Sequence, residues 1–182
     1  TRLRTVTGVQ TCALPISGNT NNGVLIFGDI ARSNSVQGNF IGTDSNGRIA
    51  IKNLASGVRV ESPGNQVGGG AAGQGNLISG NGYIGVWLVG SNAVGNRISG
   101  NLIGTARGGT NGLGNAFGGV GLTDAAGNQV GGLAASERNV ISANGFPTNN
   151  GGVFVLGSKA TGNSFFGNYI GTDINGQSAL PN

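Results

Sequence analysis

The chain has no histidine among its 182 residues and a single cysteine, Cys12. Without histidine, the commonest general base and metal ligand is missing. Charged residues make up 9% and aromatic residues 5%. So few charges exclude a helical bundle, which needs Glu and Lys in quantity beside Ala and Leu. No apolar run reaches membrane-spanning length, so no membrane insertion is expected. There is no basic stripe and no interleaving of aromatic with basic residues, and nucleic acid is not an expected partner. The net charge is +4, but Arg2 and Arg4 stand at the N-terminal edge and leave eight basic against six acidic residues elsewhere. No acidic cluster supplies the several oxygen ligands calcium wants. Neither a metal nor a cofactor is expected.

What is abundant is glycine, 39 residues, and asparagine, 24. Glycine without a strict third-residue period is not collagen. Apolar residues at 37%, placed at period two, argue against disorder. Three marks recur in a fixed order. The first is Gly-Val, at Gly23-Val24, Gly57-Val58, Gly85-Val86, Gly119-Val120 and Gly152-Val153. The second is Asn-x-apolar, ending at Val36, Val67, Ile98, Val130 and Phe165. The third is Asn-apolar-Ile, beginning at Asn39, Asn76, Asn101, Asn139 and Asn168. A fixed recurrence of this length is the mark of a solenoid, here of about five turns with three short strands per turn.

The spacing alternates. Successive Gly-Val marks lie 34, 28, 34 and 33 residues apart. The two Asn marks are 5 apart in the odd turns and 11 apart in the even ones, while the odd turns lengthen the return to the next Gly-Val. The unit of sequence is therefore a pair of turns, with loops swelling alternately at two corners. The last even turn adds about four residues near Phe146–Asn150.

Val24/Ile26, Val58/Val60, Val86/Leu88, Val120/Leu122 and Val153/Val155 alternate with other residues, which places one set on one face of a strand. Stacking equivalent strands puts like over like and fills a narrow core with aliphatic columns. Asn at fixed corners tolerates left-handed backbone geometry and bonds its neighbours in register, as Asn ladders do. In the third strand, both Phe40/Leu77/Leu102/Val140/Tyr169 and the Ile column beside it are apolar, and the pattern leaves open which faces inward.

Residues 1–16 stand outside the repeat. The run Val6–Ile16 resembles one translated frame of a sequencing-library adapter, so residues 1–16 are taken as a non-native leader and 17–182 as the repeat domain. Cys12 lies in that run and carries no information about redox compartment. No capping element is visible at either end of the repeat, which implies a piece of a longer protein and predicts end-to-end association through its terminal turns.

These columns and corners resemble the right-handed parallel β-helix of the pectate-lyase-like family. Residues 17–182 also resemble long secreted bacterial proteins built from repeats such as Asn139-Val-Ile-Ser-Ala-Asn144 and Gly167-Asn-Tyr-Ile-Gly-Thr-Asp173. The resemblance implies an all-β solenoid, an extracellular or cell-surface location, and carbohydrate as the recurrent ligand. It implies no particular activity, because one fold hosts many functions.

A glycosidase needs two carboxylates at a set separation. Six acids are present, and Asp44 and Asp173 share one Gly-Thr-Asp corner where Ala106 stands in the middle copy, the signature of a turn former. Asp29 and Glu61 form the best remaining pair. The Asp-Asp and Gly-His-Gly signatures of polygalacturonase-like hydrolases are missing. A lyase base would come from Arg59, Arg97 or Lys159. The stronger candidate is the outward column of the first strands, Leu25, Arg59, Trp87, Gly121 and Phe154. Here Trp87 and Phe154 are expected about 10 Å apart, with a gap between them at Gly121. Exposed aromatics offer flat apolar faces on which sugars stack. The expectation is a non-catalytic structural or glycan-binding segment, with a polysaccharide lyase or hydrolase fragment as the alternative. Ice or mineral binding ranks below both, since Thr43, Thr105 and Thr172 recur only every second turn.

Overall fold

The computed structural model of the chain describes residues 14–145 and 151–182. The leader up to residue 13 and the extra residues at 146–150 lie outside them. The fold is an all-β parallel solenoid of three sheets, with five full layers of strands and about four complete coils between them. The first sheet stacks Val24–Ile26, Val58–Val60, Ile84–Val89, Gly118–Thr123 and Val153–Leu156. The second stacks Ser35–Val36, Gln66–Gly68, Arg97–Ser99, Gln129–Gly131 and Ser164–Phe166. The third stacks Phe40–Ile41, Leu77–Ile78, Leu102–Ile103, Val140–Ile141 and Tyr169–Ile170, preceded by Pro15–Ile16. Those two residues were assigned to the leader, yet they pair in register with Phe40 and Ile41, and Ile16 packs against the core. Among the described residues the one helical element is a 3-10 turn at Ala135–Glu137.

Each inward column is buried in the middle layers. Val58, Val86 and Val120 of the first sheet, Ile98 and Val130 of the second, and Ile41, Ile78, Ile103 and Ile141 of the third are fully buried. The open question about the third strand is thereby answered: the Ile column faces the core, and Phe40, Leu77, Leu102, Val140 and Tyr169 face outward. Each such Val or Ile contributes about 1.5–3 kcal/mol once its neighbours cover it.

Two asparagine ladders run where they were expected, through Asn34–Asn65–Asn96–Asn128–Asn163 and Asn39–Asn76–Asn101–Asn139–Asn168. A third was not foreseen. It joins Asn19, Asn53, Asn81, Asn115, Asn144 and Asn182. Its signal was a fixed offset, since Asn19, Asn53, Asn81 and Asn115 each stand four residues before the Gly of a Gly-Val mark. Ladder amides are well bonded: Asn101 Nδ2 donates to Asn139 Oδ1 and to Val67 O, both at 3.0 Å, and its own N–H also donates to Asn139 Oδ1.

The two-turn unit follows from two ways of reaching that third ladder. Even turns go directly, through Ile-Ser-x-Asn. Odd turns make a protruding hairpin closed by antiparallel bridges, Thr43 to Ala50, Thr105 to Gly112 and Thr172 to Ala179. The serines tie the two kinds together: Ser17, Ser79 and Ser142 Oγ donate to the carbonyls of Thr43, Thr105 and Thr172 at 2.7–2.8 Å. The hairpins also bond to one another across two turns, with Arg107 N–H on Gly47 O and Ile174 N–H on Gly109 O, both at 2.9 Å. They lean on the outer column of the third sheet, where Leu77 and Val140 are left 3% exposed.

The Gly-Val glycine has a steric cause. A methyl group at Gly85 would sit 2.7 Å from Gly119 O and Ile103 Cγ2, and 2.8 Å from Asn115 Nδ2. Gly57 meets the corresponding Ile78, Asn81 and Gly85 atoms. The glycine lets the first strand pass beside the Ile column and the third ladder together. Gly85→Ala is therefore expected to destabilise the solenoid by about 1–3 kcal/mol, the usual range for overpacking a filled core. Thermal unfolding of the two chains, compared at equal concentration, checks this.

Candidate ligand-binding face

The first sheet brings the expected outward column into register: Leu25 opposite Arg59, Arg59 opposite Trp87, Trp87 opposite Gly121, and Gly121 opposite Phe154. Leu25 is exposed and the other side chains of the column are half-buried. The gap at Gly121 is filled. The Phe154 ring lies over Gly121, where a methyl group would meet its Cε2 at 2.7 Å, and over Gly118. Only a residue without Cβ at position 121 lets that ring lie down on the sheet.

Trp87 is held on several sides. The Arg59 guanidinium stacks on its ring, with Cζ 4.6 Å from the centroid. The indole N–H donates to Thr123 Oγ1 at 3.1 Å. Tyr83 meets it edge-on at 5.5 Å. Tyr83 in turn packs against Phe117 at 4.6 Å, and Phe117 meets Phe154 edge-on at 6.1 Å. Offset and edge-to-face contacts of this kind each add about 0.5–1.5 kcal/mol beyond burial. The result is a row of four half-buried aromatic side chains crossing three layers of the solenoid.

Tyr83 and Phe117 were not among the expected site residues. Both stand two residues after an asparagine of the third ladder, Asn81 and Asn115. Backbone bonds from Tyr83 N–H to Ala55 O and from Phe117 N–H to Tyr83 O place them one above the other at the corner entering the first sheet.

Of the ionisable candidates, the structure brings Arg59 and Glu61 together. Arg59 Nε lies 2.7 Å from Glu61 Oε1, an ion-pair approach whose angle is not that of a hydrogen bond. Asp29 Oδ1 accepts from Asn92 Nδ2 at 3.3 Å. Arg97 is paired with Glu137 on a different sheet. Among the described residues no group of three or more Cys, Asp or Glu is placed to hold a metal ion.

Asp44 and Asp173 are turn formers. Asp44 Oδ1 accepts the N–H groups of Arg48 and Ile49 at 2.8 and 2.9 Å, and Asp173 Oδ1 accepts that of Gln177 at 2.9 Å. These backbone donors, that of Ile49 first for Asp44 and that of Gln177 first for Asp173, hold both carboxyls below the ordinary Asp value of 3.8.

Compared with protein-family models, with curated proteins and with solved structures, the chain matches none of them. What the structure shows is the parallel β-solenoid itself.

The depressed Asp44 carboxyl gives a signed pH prediction. Its stabilisation of the hairpin is present above the unfolded value near 3.8 and is lost as pH falls through the lower folded value. The amides of Arg48 and Ile49 are expected to stay protected from hydrogen exchange at pH 5 and to lose protection only in strong acid. In Asp44→Asn the acid step disappears.

Proposed function

We propose that the chain is a non-catalytic, glycan-binding segment of a large secreted or cell-surface β-solenoid protein, and that the glycan lies along the first sheet. The observation that carries this reading is the row formed by Trp87, Tyr83, Phe117 and Phe154. The four rings position one another before any ligand arrives, which lowers the ordering cost of binding. Leu25 and Phe27, 45% and 66% exposed, extend the apolar face toward the earlier layers. Trp87 contributes a plane rather than a polar handle, since Thr123 already takes its N–H. The lyase or hydrolase alternative has less support, because Arg59 and Glu61 neutralise each other and Asp29 is bonded elsewhere.

The single tryptophan makes the test direct. The whole chain is titrated with neutral and acidic polysaccharides while Trp87 fluorescence and the release of reducing or unsaturated ends are followed together. A saturable fluorescence change without product is expected, weakened about tenfold in Phe154→Ala, as for a binding hot spot. Product formation overturns the non-catalytic reading, and silence with every polysaccharide overturns the glycan reading.

We propose further that isolated chains associate through the last layer. There Val155, Phe165 and Ile170 continue the core columns yet are 42%, 39% and 47% exposed, and a second copy stacking in register would cover them. Sedimentation is expected to show concentration-dependent association, and a monodisperse monomer at all concentrations overturns this.

A further inference from the structure

We infer that the outer face of the third sheet is a second binding surface, suited to an extended acidic peptide that also carries apolar side chains. The inference is independent of the aromatic row on the first sheet. It starts from two arginines. Arg59 and Arg97 are ion-paired, whereas Arg107 and Arg138 make no ion pair among the described residues. Each lies instead over an aromatic ring of the outer column, Arg107 Cζ 5.5 Å from the Phe40 centroid and Arg138 Cζ 4.0 Å from that of Tyr169. Arg138 Nε also donates to Gly167 O at 2.8 Å, which fixes the guanidinium in place. Phe40 and Tyr169 stand at opposite ends of the five-residue column, four strand steps apart, about 19 Å.

Two clefts lie between them. One of about 530 Å³ is lined by Phe40, Leu77, Leu102 and Arg107, with the glycine-rich segment 69–75 as a wall. The other, of about 280 Å³, is lined by Leu102, Arg138, Val140 and Ile174. Leu102 belongs to both. A third hollow of about 700 Å³ opens beside Arg107 and is lined by Asp44, Arg48 and Ile49. The acids of the same hairpins, Asp44 and Asp173, direct Oδ1 onto backbone N–H groups.

The chemistry of what is left exposed selects the ligand. Guanidinium groups lie over the rings of Phe40 and Tyr169. What remains is cationic and aliphatic: three arginines beside Ile49 and Ile174, 65% and 42% exposed. Branched aliphatic side chains need apolar partners, and guanidinium groups need carboxylates. A peptide that alternates the two supplies both. Extended at about 3.3 Å per residue, about six residues span the distance from Phe40 to Tyr169.

The test uses the whole chain and a fluorescein-labelled peptide alternating glutamate and leucine, read by anisotropy. Saturable binding that weakens as salt rises is expected. Arg107→Gln and Arg138→Gln are each expected to weaken it about tenfold, as loss of a charge-assisted hydrogen bond does. The corresponding Arg→Lys chains keep most of the affinity, and Phe154→Ala on the first sheet leaves it unchanged. The ligand-side control needs no variant: replacing glutamate by glutamine in the peptide must abolish binding. Equal binding of that neutral peptide overturns the inference. So does a polyuronate bound as tightly as the acidic peptide, or undiminished binding by an Arg→Gln chain that keeps its unfolding temperature.

Discussion

The solenoid depends on a buried amide meeting a glycine. The third asparagine ladder runs through the interior beside the Ile column, and its Nδ2 groups lie where a side chain on the first strand would otherwise go. A buried amide left unpaired costs about 1–3 kcal/mol, so each ladder asparagine must find its partners above and below. It can do so only if every turn rises by one strand spacing and keeps register. Ladder, glycine and isoleucine thus constrain one another, and loop length is free to vary outside them.

That freedom is used in a regular way. Odd turns spend their extra residues on a hairpin after the third sheet, even turns on a loop before it. The Ser17, Ser79 and Ser142 hydroxyls lock one kind of corner onto the other. Because the hairpins bond to each other across two turns, they form a rail along one side of the rod. The rail and the inserted loops border the outer face of the third sheet. The two faces also differ chemically. One carries aromatic rings packed against each other, with its arginine neutralised by Glu61. The other carries Arg107 and Arg138 over its rings, and among the described residues neither makes an ion pair.

Much of this was legible in the sequence. The order and spacing of the Gly-Val and Asn marks specified three strands per turn, the parallel stacking, two of the three ladders and the outward column from Leu25 to Phe154. Period two and like-over-like stacking suffice for that, because they depend on local alternation and on a constant repeat. The role of Asp44 and Asp173 as turn formers was legible for the same reason: the Asx turn is made within six residues.

What the tertiary structure decided concerns contacts between residues far apart in sequence. Alternation could not tell the Ile column from its neighbour, since both are apolar; the approach of the Gly-Val glycine and the third ladder places isoleucine inside. It could not show that Phe154 reclines over Gly121 or that Tyr83 and Phe117 join Trp87, because ring orientation is set by cross-strand space. Nor could charge counting reveal which arginines are paired. Arg59 and Glu61 are two residues apart in sequence, but Arg97 finds Glu137 across 40 positions, and Arg107 lies over Phe40 across 67. The sequence by itself determined a coil and its pitch; packing across the turns determined which faces of that coil carry free chemistry.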